Sequence, residues 1–182
     1  MIAQKLITLK NTLLGYNKWL NNVYIGHTIQ SLEGIYIEND STEMLDVGIK
    51  DYEGNYVTID CDGVGTINTI NIGSCNSSIF MVEYILNILV VGQSDVDINK
   101  ATINILNTLN SDTNVSIESV DTHKDSVIKK YYPKRYEKVM ELIGLRTLQV
   151  ALIKVKYSYE IDSYSDLTCM PNPCKNCIED EY

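Results

Sequence analysis

The residues best equipped for chemistry in this 182-residue chain are five cysteines and two histidines. The only cluster is the C-terminal CMPNPCKNCIEDEY, which holds Cys169, Cys174 and Cys177. Cys174-x-x-Cys177 has the spacing of half a zinc site, and Cys169 offers a third thiolate. A closed structural site needs a fourth ligand, and the tail has no His. Cys61, Cys75, His27, a carboxylate or another subunit would have to supply it. Unpaired thiols and a disulfide within the tail are the alternatives. Pro171 and Pro173 keep the tail extended rather than helical.

Nothing else in the sequence assembles a reaction centre. A nucleophile needs a base in reach, yet His27 and His123 have no local Ser or Cys partner oriented by a third group. Cys61 and Cys75 lack the basic neighbours that favour thiolate. DCDGVG, residues 60–65, resembles a fragment of a calcium loop but lacks the later oxygen ligands and closing Glu, and a turn is the expectation. Gly63 and Gly65 do not make a dinucleotide fingerprint. The expected protein is therefore not an enzyme and carries no cofactor.

Charge gives the other lead. The formal net charge is −9, spread as −10 over residues 1–122, +6 over 123–157 and −5 over 158–182. An acidic body, a basic segment and an acidic tail can attract one another between copies. The chief basic patch is KKYYPKRYEK, residues 129–138. There Lys129, Lys130, Lys134 and Arg135 alternate with Tyr131, Tyr132 and Tyr136. Cations that neutralise phosphates beside rings that stack bases suit a nucleic-acid contact. A helix docked by its apolar side and a contact to an acidic protein neighbour are the other readings. Overall acidity speaks against a free-standing nucleic-acid binder.

The elements that position these residues follow from periodicity. FMVEYILNILVVGQ, residues 80–93, is too short to span a bilayer. Phe80, Val82, Tyr84, Leu86, Ile88 and Val90 alternate, which predicts a long strand with one fully buried side. Residues 97–110 predict a helix through Ile98, Ala101, Ile105 and Leu109, with Asp97 or Asp95 capping its start. Residues 114–121 and 145–161 predict further strands, the last long enough to pair with 80–91. Ile2, Leu6, Leu9, Leu13, Tyr16 and Leu20 predict an N-terminal helix packed on its own sheet. Residues 23–79 read as short strands and turns, with Gly54-Asn55 as a hairpin signal. The fold class is α+β: a helix, β-hairpins and an antiparallel or mixed sheet packed by helices. Residues 1–161 form one domain, with 122–144 as an extended basic loop containing a short helix starting near Pro133. Residues 162–182 form an extended acidic arm. MIAQKLITLKNTLLG lacks the pattern of a signal peptide, and reduced thiols inside a cell are expected.

In this order, the segments FMVEYILNILVVGQSDVDINKATINILNTLNS and IGLRTLQVALIKVKYSYEI resemble the tail-terminator or tail-completion family of tailed bacteriophages, over roughly residues 1–161. The Ile-, Asn- and Tyr-rich composition is similar to that of structural proteins of crAss-like phages. The resemblance implies a virion protein that forms a six- or twelve-fold homo-oligomeric ring in the head–tail neck. Its partners would be portal or adaptor and tail or other neck rings, with DNA passing through the channel and no membrane involved. In that setting Lys129, Lys130, Tyr131, Tyr132, Lys134, Arg135 and Tyr136 become subunit or partner contacts. The basic 122–144 connection and the cysteine tail have no counterpart in that pattern, which leaves the ring's place in the neck open. A DNA-contacting accessory protein using residues 129–138 and a metal-binding module built on the tail are the competing readings.

Overall fold

A computed structural model describes residues 2–25, 27–30, 35–38, 44–46, 54–72, 77–133, 136–145 and 147–161. The chain is α+β, as the periodicities require. Twelve described elements follow one another: α1 (Ile2–Tyr16), β1 (Asn22–Ile25), β2 (His27–Gln30), β3 (Ile35–Glu38), β4 (Met44–Asp46), β5 (Tyr56–Ile72), β6 (Ser77–Gly92), α2 (Ile98–Asn110), β7 (Val115–Asp121), α3 (Lys124–Tyr131), α4 (Tyr136–Leu145) and β8 (Gln149–Ile161). β1, β5, β6, β8 and β7 form one sheet in that order, and β2, β3 and β4 form a second. The β1–β5 pair is parallel and the other ladders are antiparallel.

The two long strands pair as their matching faces demand, from Phe80 opposite Ile161 to Gly92 opposite Gln149. Side chains alternate across a strand, so one sheet face collects Val82, Leu86, Ile88 and Val90 with Ala151, Ile153, Val155, Tyr157 and Tyr159. All are buried, under Leu6, Leu9 and Leu13 of α1 and Ile98, Ile105 and Leu109 of α2. Fully burying each aliphatic side chain is worth about 1.5–3 kcal/mol. α2 starts where Asp97 Oδ1 accepts from the amides of Asn99 (3.0 Å) and Lys100 (3.2 Å), so Asp97 rather than Asp95 is the cap.

Several sequence expectations are corrected. Phe80 is not part of a fully buried side. It is 38% exposed because the helices stop covering the face near Val82 and Tyr159. α1 ends at Tyr16, four residues before Leu20: Asn17 N makes the last helical bond, to Leu13 O (3.1 Å), its Nδ2 takes the same carbonyl (2.9 Å), and Leu20 N then closes a tighter turn on Asn17 O (2.9 Å). Leu20 still joins the core from beyond the helix. The last strand begins at Gln149, and Leu145 belongs to α4.

DCDGVG is not a turn but runs inside β5, at a register shift. Asp62 faces Ile85 and Thr66 faces Glu83, so β5 carries two extra residues there, which makes a bulge in which glycine is at home. Gly54-Asn55 is not a hairpin tip either. β5 is flanked by β1 and β6, and Asn55 ties three chain ends together. Its N donates to Asn21 Oδ1 (2.7 Å), its Nδ2 to Trp19 O (3.0 Å), and its Oδ1 accepts from Gln93 N (2.8 Å). Gln93 Nε2 in turn donates to Gly54 O at 3.0 Å. Gly54 takes φ +122°, and a Cβ there would meet Asn21 Oδ1 at 2.6 Å, so both conformation and space demand glycine.

Candidate interaction surface

The connection expected as an extended basic loop with a short helix contains two helices, α3 and α4. They lie on the sheet face opposite α1 and α2. Val127, Ile128 and Tyr132 meet Val139, Leu148, Val150, Leu152, Leu89, Val91 and Tyr56 in a second apolar cluster. This cover is partial. It reaches Leu152 on β8 and Leu89 on β6, and beyond it the face turns polar through Asn87, Glu83, Lys154, Lys156 and Ser158. Lys154 pairs with Glu118 (3.6 Å) and Lys156 with Glu83 (3.5 Å) on that open part.

Asp121, at the end of β7, organises the start of α3. Its Oδ1 accepts from His123 N (3.0 Å), and its Oδ2 accepts from Ser126 Oγ (2.6 Å) and Lys130 Nζ (2.6 Å). These bonds favour the charged carboxylate, the Lys130 bond most, and hold its pKa down at about 2. Asp125 plays the same part between the two helices. It accepts from the Tyr136 hydroxyl, and Lys129 Nζ lies 2.9 Å from its Oδ2. The Tyr136 bond chiefly, then Lys129, lowers the Asp125 pKa, while Asp125 raises those of Tyr136 and Lys129. Lys129 Nζ also stands 5.1 Å from the Tyr136 ring centroid, within cation–π reach.

The three tyrosines are therefore not an exposed stacking platform. Tyr132 is 6% exposed, and its burial keeps the phenol pKa well above normal. Tyr131 packs edge-on against it, with centroids 4.8 Å apart, and its hydroxyl lies 3.2 Å from Thr58 Oγ1. Tyr136 is half-buried against Asp125. Lys129 and Lys130 are brought together but each is paired within the chain. Lys134 and Arg135 lie outside the described residues, as do Cys75, Cys169, Cys174 and Cys177. Cys61 is half-buried in β5. His123 begins α3 while His27 lies in the other sheet. Among the described residues no three His, Cys, Asp or Glu side chains are grouped to hold a metal, and no helix is long and apolar enough to cross a membrane.

The sequence did carry a signal for the buried tyrosine. Val127, Ile128, Tyr131 and Tyr132 sit at i, i+1, i+4 and i+5, which puts one apolar stripe on a helix across KKYY. Starting the helix at Pro133 hides that stripe.

The surface that stands out is the far end of the sheet. β5 and β6 continue as a ladder to Ile72 opposite Ser77, whereas β8 stops opposite Phe80. On the face that carries the main core, Ile67 lies beside Val82, and Phe80 lies two residues before Val82 on β6. Ile67 is 63% and Phe80 38% exposed. No described strand makes a ladder with β5 on its outer edge beyond Ile59, although β2 runs close to it. The opposite edge, β7, differs. A register shift between Ile117 and Ser119 kinks it, and Glu118 stands exposed there, both of which discourage strand addition. Compared with known proteins, the chain matches no family model, and no curated protein matches it.

Proposed function

We propose that this protein is a structural subunit that self-associates into a closed ring in the head–tail neck of a tailed bacteriophage, around the DNA channel. The observation that carries the self-association is the β5–β6 hairpin, which extends the core face past its helical cover and leaves Ile67 and Phe80 in solvent. An apolar continuation of a core face at a sheet end is suited to burial against another chain. The two edges of the sheet are unlike, one kinked and charged, the other long and without a ladder to any described strand beyond Ile59. Association through unlike surfaces is head-to-tail, and head-to-tail contacts close into rings when the rotation permits. The placement in a phage neck rests on the order of elements in the sequence, which resembles tail-terminator and tail-completion proteins. Lys129 and Lys130 pair with Asp125 and Asp121 but remain largely exposed, so they can add a rim contact to the hairpin. With Tyr132 buried and Tyr131 and Tyr136 half-buried against their own helices, the segment offers bases no open stacking platform, which disfavours the DNA-contacting alternative.

Light scattering and electron microscopy of the full chain test the reading. Closed six- or twelve-fold rings are expected, alone or on portal-bearing particles. An Ile67→Asp/Phe80→Asp variant should stay monomeric with an unchanged circular-dichroism spectrum, melting below the assembled ring because assembly stabilises the folded subunit. A chain that is monomeric in both settings, or that occurs in particles as isolated copies, would overturn it.

A further inference from the structure

The charges in the acidic part of the chain are sorted rather than mixed. Residues 1–122 carry 15 carboxylates and five basic residues, yet four of those five, Lys5, Lys10, Lys18 and Lys100, stand on α1, on α2 or in the turn after α1. Neither helix contains an Asp or Glu. Both helices cover the same face of the sheet, so these lysines belong to one helical layer. Lys5, Lys18 and Lys100 are exposed and Lys10 is half-buried, and none pairs with a carboxylate among the described residues. That separates them from Lys129 and Lys130, which have carboxylate partners in the chain. The carboxylates that flank α2 are Asp95, Asp97 and Asp112. Asp97 caps the helix, and Asp112 Oδ1 accepts from Asn114 N (2.9 Å) and Nδ2 (3.0 Å), so two of the three are committed elsewhere. The same layer exposes Ile7 (38%) and Ile103 (55%). A cationic, partly apolar layer on an otherwise acidic body suits an acidic partner that also brings apolar side chains.

The chain contains a segment of that chemistry. Residues 162–182, outside the described residues, carry five carboxylates against Lys175 and include Leu167, Met170 and Ile178. They begin directly after Ile161, which sits opposite Phe80, at the sheet end where the apolar face is exposed. When extended, these 21 residues reach up to roughly 70 Å.

We propose that the outer surface of α1 and α2 is the seat of the acidic segment 162–182 from the neighbouring copy of this chain. The inference rests on the ring reading. With Ile67 and Phe80 of one copy buried against the next, the segment leaves its own sheet at that contact and passes onto the next copy. Its carboxylates meet the four lysines, and its apolar side chains cover Ile7 and Ile103. Each subunit then gives one segment and receives one, which is a head-to-tail contact. A phosphate backbone fits less well, because it would leave both isoleucines in water.

Carbodiimide, which joins a carboxylate to an amine only where the two touch, tests this on the full chain. Rings are assembled from a mixture of unlabelled and isotope-labelled chains, and linked peptides are read by mass spectrometry. Links from the carboxylates of 162–182 to Lys5, Lys10, Lys18 or Lys100 are expected, joining labelled to unlabelled chains. A Lys5→Glu/Lys18→Glu/Lys100→Glu variant should keep its circular-dichroism spectrum, lose these links and assemble roughly tenfold more weakly, with a smaller difference at high salt. Rings whose 162–182 carboxylates link elsewhere, or only within one chain, would overturn the inference and leave the ring reading standing. Rings in which duplex DNA binds the helical layer while the segment stays unlinked would do the same. A chain that never assembles removes the ring reading itself, and this inference with it.

Discussion

Replacing Asn55 with alanine should destabilise this protein far more than its place at the start of a strand suggests. The side chain makes two bonds, Nδ2 to Trp19 O at 3.0 Å and Oδ1 from Gln93 N at 2.8 Å, both partly buried. They join the segment after α1 and the end of β6 to the start of β5. The backbone bonds to Asn21 survive the substitution, since Asn21 N donates to Asn55 O at 2.8 Å whatever the side chain. Two net hydrogen bonds contribute about 1 kcal/mol each, and stranding Trp19 O and Gln93 N adds part of their desolvation penalty, for a total of about 2–3 kcal/mol. In a chain of this size 1 kcal/mol moves the midpoint about 2–4 °C, so the melting temperature should fall by roughly 5–10 °C. Thermal and urea unfolding followed by circular dichroism measure both quantities. Asn99→Ala, on the exposed side of α2, serves as the control and should stay within about 0.5 kcal/mol. If Asn55→Ala falls within that same range, the three ends are not held through this side chain and the account of the junction is wrong.

Gly54→Ala should cost about 3 kcal/mol by the same measurements, combining strain at φ +122° with displacement of Asn21 Oδ1 from the Asn55 amide. Ile105→Ala, at a fully buried position facing the sheet, should lose about 2–5 kcal/mol. Acid should weaken the α3 junction in a defined window. The Asp121 pKa is lowered from 3.8 to about 2, so its contribution is present above pH 3.8 and disappears as pH falls through 2. Its partner Lys130 is 59% exposed, and screening reduces the contribution to about 1 kcal/mol. Asp121→Asn should flatten the stability profile in that window, and a profile unchanged by the substitution would show that the carboxylate is not held there.

The main core was legible because its elements obey simple periods. Alternation along 80–91 and 145–161 predicted two strands that match face to face, though the second begins only at Gln149, and Ile98, Ala101, Ile105 and Leu109 predicted the helix laid over them. These residues bury in the same way wherever the chain goes next, so the local pattern is enough. The candidate site was much less visible. Lys129, Lys130 and the three tyrosines read as a basic, aromatic surface, yet the carboxylates that neutralise the lysines come from the neighbouring turn of α3 and the end of β7, and the sheet buries Tyr132. Two glycine-bearing stretches read as turns. One is a bulge inside a 17-residue strand and the other a junction of three chain ends, because the pairing partners lie far away in sequence.

From its sequence alone, this chain determined which residues are apolar at strand and helix spacing, and therefore that an α+β core forms around β6, β8, α1 and α2. Tertiary structure decided which charges pair within the chain and where helical cover of the sheet stops short of Ile67 and Phe80. Local periodicity sets the face a side chain takes, whereas exposure and pairing depend on contacts between segments dozens of residues apart.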